Sequence, residues 1–283
     1  MTDDIPDSIR IPDLKLHDQY NGHFKILDRC SHLYDAVLNG VAARHLTEDD
    51  LSLYQIALFV TFIKVNNSLR SLSSLCSRGF TEDARTMARK VLEATVSMAY
   101  VSRDPDKRTE QYWHHGVIRG YFEAKKIIKN NSYSDVVRNR YRELLPEYEV
   151  GYEEHKRLYE CKANGELKPS FQWKWSGKNV MQMAKECGLD DLPVPYILYC
   201  ESTHTSVADV PTYFSFEAAE FQPGMDAEEV PMLILFTVQL TTILTKLVNT
   251  AFSLELGNVI EQIETQMRQL DGDLVNGYRS DDE

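Results

Sequence analysis

The sequence is poor in glycine and proline, with 13 and 10 among 283 residues, so it offers little material for a turn-rich fold. It has only five cysteines, scattered and without a C-x-x-C pair, which argues against a disulfide scaffold or a zinc knuckle. The glycine motifs of P-loop, Rossmann and α/β-hydrolase enzymes are missing too, as is H-E-x-x-H. These absences disfavour the commonest nucleotide-hydrolysing, redox and esterase chemistries.

Basic residues are outnumbered by acidic ones, 31 against 43, which gives a net charge of −12 at pH 7. That balance argues against broad non-specific binding to nucleic acid or to anionic membranes. The longest uncharged apolar run, Val230 to Thr245, is shorter than the roughly 20 residues of a membrane span, and the N-terminus resembles no targeting signal. We therefore expect a cytoplasmic protein with no membrane partner. The apolar run fits a core helix, and equally a homodimer interface.

Apolar residues recur at helical intervals over most of the chain, whereas strand-like alternation is confined to a short run at 211–216. The pattern predicts an all-α, multi-helix bundle of six to eight helices. The expected helices cover residues 13–43, 47–78, 81–104, 106–130, 133–163, 177–187, 195–208 and 226–270. We expect one helical domain, 13–270, between a flexible lead-in at 1–12 and an acidic mobile tail at 271–283.

A long central αα-hairpin, Leu51 to Ser102, is the clearest element of this bundle. Thr47 and the acids after it predict the start of its first helix, and Gly79 predicts the turn. The second helix is apolar around most of its circumference, yet Arg89 and Glu93 share one face of it. Because buried charges must be paired, these two either fix the packing together or line a cleft that binds an anion.

Glu201 and His204 form an E-x-x-H motif, which places both side chains on one face of a helix. This spacing suits an acid/base pair, although a hydrogen-bonded structural histidine produces the same pattern. The motif occurs only once, so a di-iron site of the four-helix type is not expected.

Arg108 and His114 have the spacing of the R-x(4–6)-H motif of the helical HEPN ribonucleases. In such enzymes the two residues act together on the scissile phosphate without a metal. Between residues 103 and 142, ten Lys or Arg stand against five Asp or Glu. This stretch predicts either a solvated face or a basic face for an anionic ligand or RNA.

Three segments, in order, resemble the bacterial domain-of-unknown-function family 5677. They are Arg78-Gly79-Phe80 with Ala84, Arg89 and Leu92-Glu93-Ala94; Trp175-Ser176-Gly177-Lys178 with Gly188-Leu189; and Tyr196, Tyr199 and Cys200-Glu201-Ser202-Thr203-His204-Thr205-Ser206. The resemblance covers roughly residues 55 to 255, with Cys200 in place of the expected serine. It implies an all-helical bacterial protein with no established reaction, and it groups Arg89, Glu93, Lys178, Glu201 and His204 at one site. Arg108 and His114 are not part of the family pattern.

Two classes of function follow. In the first, the protein is an enzyme for a phosphate-bearing substrate, RNA or nucleotide, in a defence or mobile-element setting. Arg89 and Lys178 would hold the anion, and His204 would act as acid or base with Glu201 or Glu93. In the second, a non-catalytic binding or sensor protein uses the same cluster structurally. The HEPN-like ribonuclease is a further alternative. No cofactor and no metal ligand are expected.

Overall fold

The fold is seen in a computed structural model that describes most of the chain. The described residues are 15–45, 47, 50–162, 169–171, 174–190, 192, 199–200, 214–215, 220–221 and 227–280, with only the backbone given for 160–162, 169–171, 214–215, 220–221 and 273–280. They form two compact units, 1–99 with 189–283, and 100–188. The expectation of a single domain at 13–270 stays a prediction.

Nine α-helices are present among the described residues, which confirms the all-α class. They are α1 Leu16–Gln19, α2 Asn21–Ala42, α3 Leu53–Cys76, α4 Thr81–Val101, α5 Pro105–Lys129, α6 Asp135–His155, α7 Val180–Glu186, α8 Val230–Phe252 and α9 Gly257–Ser280. A 3₁₀ turn, Lys156–Leu158, follows α6. Two antiparallel ladders add β1 Glu160–Lys162 with β2 Pro169–Phe171, and β3 Phe214–Ser215 with β4 Glu220–Phe221. The strands were not expected, but ladders of two or three residues leave the class unchanged.

The central hairpin of α3 and α4 is present, and its turn is the predicted one. Gly79 lies in the left-handed region at φ 76°, which glycine adopts without steric cost. The predicted helix start at Thr47 is wrong. The cap is Ser52, whose Oγ accepts from the Gln55 backbone N–H while the Gln55 side chain accepts from the Ser52 N–H, a capping box.

The core of the first unit lies around α8, which packs against α2, α3 and α9. Four buried threonines of α8 donate their hydroxyls to carbonyls one turn earlier: Thr237, Thr241, Thr242 and Thr245. In the described part of the chain α8 alone is long and apolar enough to cross a membrane, but 67% of that window is buried in the fold. Its apolar surface therefore serves the protein's own core.

The expected single helix from 226 to 270 is wrong, because the chain breaks between α8 and α9. Ser253 and Glu255 take left-handed backbone conformations at φ 49° and 60°, which end α8 and redirect the chain. The Asn249 side chain accepts from the Leu256 N–H and so satisfies the new helix start. The second helix, α9, then continues to Ser280 rather than ending at 270.

The second unit is built on an antiparallel hairpin of α5 and α6. The two helices approach closely where glycine faces a large side chain: a Cβ on Gly120 would overlap the Tyr148 ring, and one on Gly151 would overlap Val117. The rings of Tyr121 and Tyr152 stack across the same interface with centroids 4.2 Å apart. The helix expected to reach residue 163 ends at His155.

Candidate functional site

A charged stripe runs along α4 in the first unit. Arg85, Arg89 and Glu93 follow one another at four-residue spacing, so they share one face of the helix. Arg89 Nε donates to Glu93 Oε1 at 2.8 Å, and Arg85 Nε donates to Glu229 Oε2 at 2.8 Å. The α4 stripe, taken with Glu229, is half-buried and balances two arginines with two carboxylates.

The structure therefore joins two members of the predicted five-residue site, Arg89 and Glu93. Lys178 belongs to the other unit, where its ammonium is paired with Glu186. Glu201 and His204 lie outside the described residues, as does most of the helix expected at 195–208. The convergence of all five on one site stays a prediction.

A second group of charges surrounds the ring of Tyr100 in the 100–188 unit. The Arg108 guanidinium lies over this ring at 3.8 Å from its centroid, and the Lys178 ammonium lies at 5.3 Å. Trp175 packs edge-on against Tyr100 and Tyr112, with centroids 5.7 and 5.2 Å away. Tyr100 itself is only 6% exposed. These residues, together with Arg103, are called the Tyr100 cluster below.

Backbone carbonyls hold the two arginines of this cluster. Arg108 Nη1 donates to the Tyr100 carbonyl at 2.7 Å, and Arg103 Nη2 donates to the Cys187 carbonyl at 3.1 Å. The bond to Glu186, followed by contact with Tyr100, raises the pKa of Lys178, so this ammonium stays charged at neutral pH. Among the described residues Glu186 is the one carboxylate that pairs with these three cations. The Tyr100 cluster thus has an excess of positive charge that the α4 stripe lacks.

The third polar group is a histidine cluster between α5 and α6. The rings of His114 and His155 stack with centroids 3.5 Å apart and planes 16° apart. Glu110 lies one turn before His114, and the potential ligand atoms of all three residues lie within 4.8 Å of one another. Burial and then His155 lower the pKa of His114, against smaller opposite effects of Glu110 and Glu154. The His114 ring is therefore neutral at pH 7.

Arg108 and His114, the pair with ribonuclease-like spacing, contact different neighbours. Six residues on a helix place them about 120° apart around α5, at about 100° per residue. Arg108 faces Tyr100, whereas His114 faces His155 across the α5–α6 hairpin. The structure does not bring this pair together around one point.

Residues 55–221, more than half of the chain, match the family of unknown function DUF5677. The chain belongs to this family. No curated protein and no solved structure matches it. The DUF5677 match includes the α4 positions Arg89 and Glu93, the whole Tyr100 cluster and the histidine cluster. It ends before α8 and α9.

Within this DUF5677 chain, the participants that escaped prediction from the sequence include Tyr100, Arg103, Glu110 and His155. Glu110 and His114 form an E-x-x-x-H pair. This is a local signal in the sequence, but its spacing differs from that of the E-x-x-H motif. His155 is distant in sequence and joins them only through the pairing of α5 with α6. Tyr100 looks like one more core residue of α4 until the cations around it are known.

Proposed function

We propose that this DUF5677 protein binds RNA, and that the Tyr100 cluster is where it does so. Support comes from one observation above all: Arg108 and Lys178 lie over the buried Tyr100 ring, Arg103 is held nearby on the Cys187 carbonyl, and among the described residues one carboxylate, Glu186, pairs with these cations. An unbalanced positive cluster on a folded unit favours phosphate, since phosphate contacts supply most of the affinity for nucleic acid. The local excess also explains how a chain of net charge −12 can bind a polyanion.

The aromatic members of the cluster suit a nucleobase. Trp175 and Tyr112 are both half-buried, so each ring keeps part of its surface accessible to a ligand. Stacking of a base on an aromatic side chain contributes about 1–3 kcal/mol in single-strand complexes. Single-stranded nucleic acid is bound by aromatic rings that stack with its bases and by cations that contact its phosphates, and both are present here.

Unpaired lysines on α5 favour a polymer over a free nucleotide. Lys107, Lys126 and Lys129 are exposed, and none of the three makes an ion pair with another described residue. Several other basic residues of the 103–142 stretch are neutralised locally, as Arg119 is by Glu123. The remaining free lysines extend the positive surface beyond the reach of a single phosphate group.

The α4 stripe takes a structural role in this proposal. The Arg89 guanidinium forms an ion pair with Glu93. We therefore assign anion binding to Arg103 and Lys178 rather than to Arg89. A catalytic step through Glu201 and His204 stays a prediction, as does the metal-independent step through Arg108 and His114. No described residue bears on the expected setting in defence or mobile elements.

The test is a binding titration of the whole protein with a fluorescently labelled single-stranded RNA, repeated over a range of salt. Lys178→Gln is compared with Lys185→Gln, because Lys185 is an exposed lysine of α7 with no described ion pair. We expect Lys178→Gln to weaken binding about tenfold at low salt. Loss of one phosphate contact also lowers the slope of log affinity against log salt by about 0.7.

The matched control should keep the affinity and the salt slope of the unmodified protein. Equal effects of the two substitutions would contradict a specific role for the Tyr100 cluster, and so would undetectable binding at low salt. Competition with AMP, ATP and inorganic phosphate separates the ligand classes. Full displacement by a mononucleotide at micromolar concentration would replace RNA with a free nucleotide as the ligand.

A further inference from the structure

The histidine cluster lies in the 100–188 unit but plays no part in the RNA-binding proposal. Glu110 and His114 project from one face of α5 at i and i+4, and His155 meets them from the last residue of α6. On α5, Glu110 and His114 lie on the side opposite Arg108 and Tyr112, at about 100° per residue. An argument about this cluster is therefore independent of the Tyr100 cluster.

The three side chains form a set of ligands that transition metals prefer. The potential ligand atoms of the two imidazoles and the carboxylate lie within 4.8 Å of one another. In a tetrahedral site the ligand atoms are about 3.4 Å apart. Imidazole nitrogens favour zinc-type ions, whereas Mg²⁺ and Ca²⁺ favour all-oxygen sets. To bind one ion, the two rings must turn out of their stacked arrangement, because an imidazole nitrogen binds a metal in the plane of its ring.

The surroundings of the cluster favour a cation. His155 ends α6, where the helix dipole places partial negative charge. Glu154 adds a carboxylate 3.7 Å from His155 Nε2. The two imidazole rings stack with centroids 3.5 Å apart, so a cation next to one ring is also near the other.

A buried tyrosine supports the α5 backbone from which two of the ligands project. Tyr159 is fully buried, and its hydroxyl donates to the carbonyl of Gln111, which lies between the two α5 ligands. The neighbouring His115 packs against the same tyrosine ring at 5.6 Å. The α5–α6 register is fixed by the close contacts at Gly120 and Gly151. These contacts fix the backbone from which the three ligands project.

We propose that Glu110, His114 and His155 bind one divalent transition-metal ion of the zinc type. Glu110 is exposed and His155 keeps 22% of its side chain accessible, so solvent reaches this group of ligands. Three protein ligands with one open position are the composition of catalytic zinc sites, whereas structural zinc sites are closed by four.

The test is isothermal titration of the whole protein with Zn²⁺ after treatment with a chelator and its removal. Two ligand variants, Glu110→Gln and His155→Gln, are compared with Glu147→Gln and His32→Gln. These controls change an exposed glutamate of α6 and an exposed histidine of α2. We expect one equivalent of Zn²⁺ to bind, with affinity reduced at least tenfold in each ligand variant and unchanged in each control.

A parallel measurement of thermal unfolding with saturating Zn²⁺ provides a readout that needs no activity. The midpoint should rise in the unmodified protein and in both controls, but not in the ligand variants. Glu110→Gln keeps the test decisive if His155→Gln folds poorly, since Glu110 is exposed. Equal Zn²⁺ affinity in all variants would overturn the proposal, as would stronger binding of Mg²⁺ than of Zn²⁺. Failure of RNA binding leaves this result unaffected.

Discussion

Arg89 lies near the middle of α4 and Arg108 near the start of α5, and the two guanidinium groups contact different partners. Arg89 meets the carboxylate of Glu93 one turn away, so its charge is neutralised within its own helix. Arg108 meets an aromatic ring and a carbonyl, which hold the guanidinium, and no carboxylate among the described residues pairs with it. The comparison teaches that a binding site is marked by surplus charge rather than by the presence of charged residues.

The largest expected effect comes from removing the ring at the centre of the Tyr100 cluster. Tyr100→Ala should lower the free energy of unfolding by about 3–5 kcal/mol, because a buried aromatic side chain is lost and a cavity remains. Urea denaturation measures the loss. The matched control is Tyr133→Ala, which removes a ring that is 41% exposed and should change stability by less than about 0.5 kcal/mol. Similar losses in both would contradict the description of Tyr100 as buried and Tyr133 as exposed.

Thiol reactivity distinguishes the two regions by another route. Burial raises the pKa of Cys76 in the first unit to about 12. At Cys187, whose carbonyl accepts from Arg103 of the Tyr100 cluster, burial raises the pKa of the thiol, but Arg103 and then Arg108 act in the opposite direction. A pKa about three units above the ordinary value leaves about a thousandfold less thiolate below pH 9. Cys76 should therefore be alkylated far more slowly than Cys187.

Site-resolved mass spectrometry after iodoacetamide treatment measures both rates in one sample. The Cys76 rate should rise about tenfold per pH unit between pH 7 and 9, because a thiol well below its pKa gains thiolate in that proportion, and the Cys187 rate should also rise with pH. Arg103→Gln should slow Cys187 and leave Cys76 unchanged. Equal rates at the two cysteines in the folded protein would contradict the description of Cys76 as buried, and a faster Cys187 in Arg103→Gln would contradict the charge surplus.

Sequence reasoning succeeded where the cause is local. The spacing of Arg89 and Glu93 placed both on one face of α4, and of the two roles left open for them, a mutual pair or a cleft for an anion, the structure shows the pair. Gly79 predicted the turn between α3 and α4. The start of α3 was predicted at Thr47 instead of Ser52, although Gln55 three residues after Ser52 completes a capping box that is visible in the sequence. Thr47 has the right residue type for a cap, but Ser52 has the reciprocal partner that completes one.

The remaining errors have nonlocal causes. The break after α8 depends on left-handed backbone at Ser253 and Glu255, residue types that give no signal for it. His155 reaches His114 only because close packing at Gly120 and Gly151 sets the register of two helices. Neither helix periodicity nor motif spacing contains that register. The histidine cluster could thus not be found before the fold was known.

The smallest expected effect belongs to the Arg89–Glu93 pair on α4. Arg89 and Glu93 keep 24% and 40% of their side-chain surface exposed, so water screens most of their attraction. A double-mutant cycle with Arg89→Gln and Glu93→Gln should give a coupling energy of about 0.3–0.5 kcal/mol in urea denaturation. Added salt should reduce that coupling, while RNA affinity stays unchanged in all three variants.

A coupling above about 2 kcal/mol would mean that the pair is desolvated as a buried salt bridge is. A loss of RNA affinity in Arg89→Gln would return this arginine to the binding site, and the contrast with Arg108 would then disappear.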